Sequence, residues 1–504
     1  MKLKNRYFIY LAAMSLVACS DDKFTAEIPW PETEQPGDDA PQPPVQSSRD
    51  EQFRPQVHYT PSANWINDPN GMVYANGVWH LYYQYNPMGN DWGNMSWGHA
   101  TSSDLIHWTE QPVAMTPNQW GDIFSGSAIV DKDNVAGFGE NAIISFYTAS
   151  GEHQQQCLAY SNDGGITYTQ FEGNPIIPNT DRGDFRDPKV FYHAESQKWI
   201  MCLALGWEQG VELWSSTNLK SWTYLSTFKS NSARSNQGQW ECPDLVKLPY
   251  NGSEKWVMIV SNNPGGPVGG SGTEYFIGDF DGTNFVADER NYPLWLDYGS
   301  DNYAGVTWSN APDDRTVLIG WMNNWNYCGN VPCSPWRSAM TLPRELTLIE
   351  VDGQPMLSTT IVKELDNIAG EWQLAQDGIC REGDAYEMKV VLDPKENASF
   401  SVRNDIGEYL EISVNASAGK IIAKRTSATG DISFNGSFSL PSIAAPYNKT
   451  LDTLELHIYV DKSSVEIISE DGTTVLTCLV FPSIPYDRLI GVDEVYYRPL
   501  KSIW

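Results

Sequence analysis

Five short runs of strand-forming residues recur along this chain at a nearly constant interval, and that period restricts the fold more than any other feature. The runs are Val78-Trp79-His80-Leu81-Tyr82-Tyr83, Ala142-Ile143-Ile144-Ser145-Phe146-Tyr147, Lys198-Trp199-Ile200-Met201-Cys202, Lys255-Trp256-Val257-Met258-Ile259 and Thr316-Val317-Leu318-Ile319-Gly320. With Trp79, Ile143, Trp199, Trp256 and Val317 as markers, the spacings are 64, 56, 57 and 61 residues. Four of the markers are followed by a further strand with a polar turn, in SDLIHWT (103–109), SNDGGITYT (161–169), STNLKSWT (216–223) and FDGTNFV (280–286). Beyond the first residues no segment sustains a helical apolar period, and Gly, Asn, Asp and Pro separate the runs, so the chain reads as all-β. Five copies of a roughly four-stranded unit predict a five-bladed β-propeller.

The repeat also aligns three acids. Asp68 in WINDPNG precedes its marker by 11 residues, Asp187 in FRDPK by 12 and Glu241 in WECPD by 15. Each lies within two residues of a proline. A single Asp-Pro pair reads as a turn. Three in phase, however, occupy equivalent places on the inner strands of blades one, three and four, and inner strands converge on one axis. Clustered carboxylates raise one another's pKa, and burial raises it further. Such a cluster points to acid/base work. Glycoside hydrolysis needs one carboxyl protonated to serve the leaving oxygen and one ionised to attack the anomeric carbon. No HExxH, paired CxxC or EF-hand pattern occurs, so the expectation is neither a metal nor another cofactor. The glycine-rich run GGPVGGSG (265–272) lacks a following Lys-Ser/Thr and reads as a loop.

HYTPSANWINDPNGMVY (58–74), DIFSGSAIV (122–130), FRDPKVF (185–191) and WECPDLV (240–246) closely resemble the motifs of glycoside hydrolase family 32, the β-fructofuranosidases: invertases, inulinases and levanases. The resemblance runs from about Gln56 to the chain end. It implies a five-bladed propeller followed by a C-terminal β-sandwich, in agreement with the repeat. It also implies a retaining mechanism with Asp68 as nucleophile, Glu241 as general acid/base and Asp187 as stabiliser of the transition state. In that mechanism the two working carboxyls stand about 5–5.5 Å apart. By the same resemblance Asn67, Gln84, Trp92, Phe124, Ser125, Arg186 and Trp321 line the fructose pocket. Trp92 and Trp321 also suit propeller core. Asp301 in DYGSDNYAG (297–305) is a further pocket candidate or a turn residue. Arg186, beside Asp187, is expected to keep that acid ionised. Cys242 is read as a small buried residue without chemistry.

The organisation expected is a signal segment over 1–19, a tether over 20–52, a propeller over 53–350 and a sandwich over 367–504, where alternating strands continue without the Trp-led repeat. Three basic residues, Lys2, Lys4 and Arg6, precede an apolar run too short to span a bilayer. Leu16-Val17-Ala18-Cys19 then resembles a bacterial lipobox, which implies acylation of Cys19 and anchoring in the outer membrane of a Gram-negative bacterium, and Ser20-Asp21-Asp22 resembles a tag for display at the cell surface. The Pro- and acid-rich stretch that follows suits an extended tether. Seven scattered cysteines besides Cys19 form no disulfide framework, although Cys328 and Cys333 are close enough for a local bridge. A formal net charge of −30 argues against nucleic acid as a partner. The expected partner is a fructan or fructo-oligosaccharide, and the expected state a monomer.

Two other readings remain at this point. One is a fructan-binding lipoprotein without activity, which the intact acid triad disfavours. The other is an inverting arabinan hydrolase of similar architecture, which lacks the NDPNG and EC motifs. Linkage preference stays open between levan, inulin and sucrose. Anchoring at a surface favours endo cleavage of polymers, whereas GNMSWGHA and DIFSGSA favour exo attack, toward which the balance leans slightly.

Overall fold

A computed structural model describes residues 49–230, 238–380 and 383–504. Cys19 and the tether up to residue 48 lie outside the described residues. Among the described residues helix is confined to short 3-10 turns, and the rest of the regular structure is strand.

Five antiparallel sheets follow one another along the chain, each built on one marker run as its second strand: Val78–Asn86, Ala142–Ser150, Lys198–Leu205, Ser253–Asn263 and Val317–Met322. Their inner strands are Asn64–Ala75, Asp122–Asp131, Phe185–His193, Gln239–Tyr250 and Tyr303–Thr307. Each inner strand neighbours the next, and the fifth neighbours the first, so the blades close into a ring. Closure between blades five and one uses backbone pairing of Asn64 and Trp65 with Trp336 and Arg337, and of Met72 and Tyr74 with Ser309. Blades on both sides cover each sheet, so inner and second strands such as Asn64–Ala75 and Val78–Asn86 are mostly buried, while outer strands such as Thr109–Met115 and Thr223–Lys229 are partly exposed. Separate clusters seal the interfaces. Ile144 and Phe146 of blade two meet Val190 and Met201 of blade three, Cys202 and Leu213 meet Met258 and Phe276, and Val257 and Ile277 meet Leu318 and Leu346. Each such side chain contributes roughly 1.5–3 kcal/mol by burial. The last blade ends in the hairpin Arg344–Val351 and Gln354–Ile361, so the propeller continues beyond residue 350.

All five inner strands break register at the same height. The irregularities fall between Ile66 and Pro69, Ile123 and Gly126, Arg186 and Lys189, Glu241 and Asp244, and Tyr303 and Val306. Proline has no N–H for the ladder, and a bulge is where a strand tolerates it. Three bulges hold a non-glycine residue at positive φ: Asp187 (65°), Cys242 (47°) and Ala304 (54°). The N–H of each finds a side-chain acceptor, respectively Thr148 Oγ1, Asp187 Oδ2 and Ser261 Oγ, all at 2.9 Å. Strain of this kind persists only where neighbours over-determine it. Here it turns the side chains of one level toward the axis.

The C-terminal strands form a sandwich of a six-stranded and a five-stranded sheet packed over one apolar core that includes Met388, Val402, Ile412, Ile458 and Leu476. Buried ion pairs join it to the propeller. Arg344 bonds Asp297 at 2.9 Å and also Glu466, while His58 lies between Glu466 (2.7 Å) and Asp461 (2.8 Å). All seven described cysteines are free and buried, so Cys328 and Cys333 are not bridged.

Candidate active site

At the level of the bulges the propeller axis opens into a cavity of about 340 Å³. Asn67, Asp68, Gln84, Trp92, Phe124, Ser125, Arg186, Asp187 and Glu241 all line it. Residues up to 174 positions apart therefore meet because equivalent bulges face one axis. Asp68 Oδ2 accepts from Ser125 Oγ at 2.6 Å, and its Oδ1 from Asn67 Nδ2 at 3.0 Å. Glu241 Oε1 accepts from Arg186 Nη2 at 2.9 Å and Nε at 3.2 Å, and its Oε2 from the Tyr303 hydroxyl. Asp187 is held by the N–H of Cys242. The Cys242 thiol stands 3.6 Å from Asp68 Oδ2 and 3.7 Å from Asp187 Oδ2. Burial and the surrounding carboxylates push this thiol well up, so it stays neutral, a weak donor between two acids. It does more than fill space.

Burial dominates the electrostatics. It lifts Asp187 to about 7; Arg186 opposes the shift, while Glu241 and Asp68 add to it. Arg186 thus favours the ionised form of Asp187, as expected, but burial and the two other acids outweigh its pull. The guanidinium lies 3.9 Å from Asp187 and makes its short bonds to Glu241, Asp184 (2.7 Å) and Gln239 (2.9 Å). Glu241 is likewise raised, first by burial and then by Asp68, against the pull of Arg186 and the Tyr303 hydroxyl. A raised carboxyl retains its proton nearer neutral pH, as a general acid requires.

Two expected pocket residues lie elsewhere. Trp321 is fully buried behind the pocket wall, its ring 5.0 Å from that of Trp325 and 6.1 Å from that of Trp65. It is core, because its strand position faces the neighbouring blade. Asp301 is also fully buried, but between propeller and sandwich, where it accepts from Arg425 at 2.7 Å, Tyr327 at 2.6 Å and the Leu479 N–H at 2.9 Å. Its partner Arg425 comes from the sandwich, 124 residues away, which no local motif announces. Gln239, Asn263 and Trp325 line the cavity without having been expected there. Gln239 was within reach of the motif reading, two residues before Glu241 on the same strand, and Asn263 pairs with it across the hairpin. Trp92 stands half exposed at the rim, edge-on to Phe124.

Comparison with known proteins agrees with this arrangement. The glycosyl hydrolases family 32 N-terminal domain matches residues 58–359, and the glycosyl hydrolases family 32 C terminal matches residues 358–494. A levanase of Bacillus subtilis (strain 168) is 43% identical over 487 residues, covering 90% of this chain and 71% of that protein. An extracellular exo-inulinase of Aspergillus niger is 38% identical over 489 residues, covering 86% and 90%. The crystal structure of an exo-inulinase from Aspergillus awamori superposes with a TM-score of 0.83 at 34% identity, covering 91% of this chain and all of that one. A matched propeller, a matched sandwich and relatives aligned over most of their length carry one conclusion: the chain belongs to glycosyl hydrolase family 32.

Proposed function

We propose that this glycosidase hydrolyses β-fructosidic bonds of fructans with retention of configuration, from the chain end, using Asp68, Glu241 and Asp187. The observation that carries the reading is the unequal treatment of two carboxyls facing one cavity. Asp68 accepts from a hydroxyl and an amide, whereas Glu241 is buried and raised against an arginine and a tyrosine. Paired carboxyls in unlike surroundings divide into nucleophile and acid. Asp68 then attacks C2 of the terminal fructosyl unit as the bond from C2 to the leaving oxygen breaks, and Glu241 gives that oxygen its proton. In the second half Glu241 takes a proton from water, whose oxygen displaces Asp68 from C2 and frees fructose. Asp187, set between Cys242 and the pocket, suits a role in holding fructosyl hydroxyls as positive charge develops.

Attack at chain ends is supported by the shape of the site. The cavity beneath Asp187 is only about 10 Å³, which suits a site that takes one terminal unit. Incubation of wild type and Glu241→Gln with levan, inulin and sucrose tests the reading. The expected result is fructose as sole early product from at least one polymer, and no product from the variant. A ladder of short oligosaccharides would keep the acids and overturn the exo assignment. Binding without cleavage by the wild type would overturn the enzymatic one.

We further propose acylation at Cys19 and attachment to the outer membrane, on the strength of the lipobox-like sequence. Loss of membrane partitioning and of fatty-acid labelling in Cys19→Ser is the expected outcome.

A further inference from the structure

Neighbouring inner strands of the propeller share few backbone bonds, so side chains set their spacing. At the height of the acids the links between these strands run to the acids themselves: the side chains of Arg186 and Tyr303 to Glu241, and the Cys242 N–H to Asp187. One step further along the same three strands lies a second set. Lys189 Nζ contacts Asp244 Oδ2 at 3.0 Å, the Thr307 carbonyl at 2.6 Å and Thr307 Oγ1 at 3.0 Å. Asp244 Oδ2 also accepts from the Thr307 N–H at 2.8 Å and its hydroxyl at 2.7 Å. Lys189 is two residues after Asp187, Asp244 three after Glu241 and Thr307 four after Tyr303. Both charges are buried, the lysine side chain 8% exposed and the aspartate 0%. Asp244 Oδ1, equally buried, has no partner of its own. An ion pair this deep has a desolvation cost near its attraction and is weak evidence for stability as such. Its place in the fold is more telling. Lys189 and Thr307 wall the small cavity beneath Asp187, and with Asp244 they floor a separate cavity of about 640 Å³ that also reaches Trp308 and Tyr192.

We propose that Lys189, Asp244 and Thr307 form a clasp of positioning residues that sets the distance between Asp187, Glu241 and Tyr303 and closes the axis beneath them. The clasp takes no part in bond making. It ties blades three, four and five through an ion pair and a shared hydroxyl. Half of the cavity lining, Asn67, Asp68, Gln84, Trp92, Phe124 and Ser125, comes from blades one and two. Loosening the clasp therefore moves the proton donor relative to that half of the wall, and kcat is affected more than KM. The inference rests on the catalytic reading of Glu241 and Asp187.

The pair is neutral as a whole, which supplies a readout that a merely structural role lacks. Lys189→Met leaves one buried negative charge, and Asp244→Asn one positive charge. The groups facing Glu241 are Arg186 and Asp187 from blade three, Asp68 from blade one and Tyr303 from blade five, with Cys242 on its own strand; Cys202 faces the clasp itself. All of these remain in both variants. The negative charge raises the carboxyls, so the alkaline limb of the kcat profile moves to higher pH in Lys189→Met. It moves to lower pH in Asp244→Asn.

The experiment measures kcat, KM and the pH profile on one fructan for wild type, both charge variants, Lys189→Arg, Thr307→Val and Glu241→Gln. Expected are losses in kcat of about 10- to 100-fold with KM nearly unchanged, limbs displaced in opposite directions, and partial recovery in Lys189→Arg. Thr307→Val removes one hydroxyl at constant shape; it decides the matter should the charge variants not fold, by losing kcat at unchanged KM. Wild-type kcat in Thr307→Val, or limbs that move together, would overturn the clasp. Full activity in Glu241→Gln would instead overturn the catalytic reading beneath it.

Discussion

Arg186 adjoins Asp187 in the chain, yet two of its guanidinium nitrogens bond Glu241 Oε1, at 2.9 and 3.2 Å, and its approach to Asp187 is 3.9 Å. The peptide reversal at Asp187, with φ at 65°, separates the neighbours and sends the cation to the acid of the next blade. Gln154 and Asp184 hold the third nitrogen, Nη1, and Nη2 also bonds Gln239. The arginine therefore acts on Glu241, the proposed proton donor, more directly than on the acid beside it.

Removing that cation has a signed consequence. Arg186 pulls Glu241 down while burial and Asp68 raise it. Arg186→Leu lets the carboxyl rise further, so the alkaline limb of the kcat profile shifts to higher pH while kcat itself falls by about 10²–10⁴ as the acid loses its orientation. The measurement is kcat against pH on one fructan. Because the buried acids titrate together, the limbs belong to the cluster rather than to one side chain.

Ser125 donates to Asp68 at 2.6 Å from a different blade. A hydrogen bond to a charged group contributes about 2 kcal/mol, so Ser125→Ala is expected to lose on the order of 30-fold in kcat/KM. Single-turnover kinetics place the loss in the first half-reaction. The same assay followed by NMR should show the β-anomer of fructose before mutarotation; early appearance of the other anomer would remove Asp68 from the nucleophile's role.

Asp301 is a matter of stability. Asp301→Asn leaves Arg425 buried beside Tyr327 with its charge uncompensated. Breaking one partner of such a pair costs about 3–5 kcal/mol. Thermal unfolding should move down by several degrees, with kcat/KM of the protein that remains folded unchanged. A selective rise in KM would instead return Asp301 to the pocket.

The cluster of His58, Asp461, Glu466 and Arg344 predicts how stability follows pH. His58 is raised to about 9 by its two carboxylate partners against burial, and Glu466 is lowered to about 2. The contribution of His58 is fully present below its ordinary value near 6.5 and is lost as pH rises through about 9. That of Glu466 is present above its ordinary value near 4.5 and is lost as pH falls toward 2. Unfolding free energy should therefore be highest between these values, and His58→Gln should flatten its decline between neutral pH and about 9. Urea titrations of both proteins across that range check the slope.

The blades and the acids were legible for one reason. A repeat places equivalent residues at equivalent heights, and the axis gathers equivalent heights, so Trp79, Ile143, Trp199, Trp256 and Val317 marked the second strands while Asp68, Asp187 and Glu241 marked one level of the inner ones. Local chemistry also sufficed for the bulges, since a proline inside an inner strand must leave the ladder. What the sequence by itself determined was thus periodic or local.

Tertiary structure alone decided the partners. Trp321 and Trp325 are four residues apart in one aromatic segment, yet only Trp325 reaches the cavity, because the end of the strand turns one ring inward and leaves the other between blades. Asp301 reads locally as a turn beside the pocket, and its role came from Arg425, a cation on another domain. Arg186 and Asp187 show the same limit at closer range. Burial, charge pairing and their effect on pKa depend on what lies within a few ångströms in space, and the five-fold closure brings there residues that no spacing along the chain identifies.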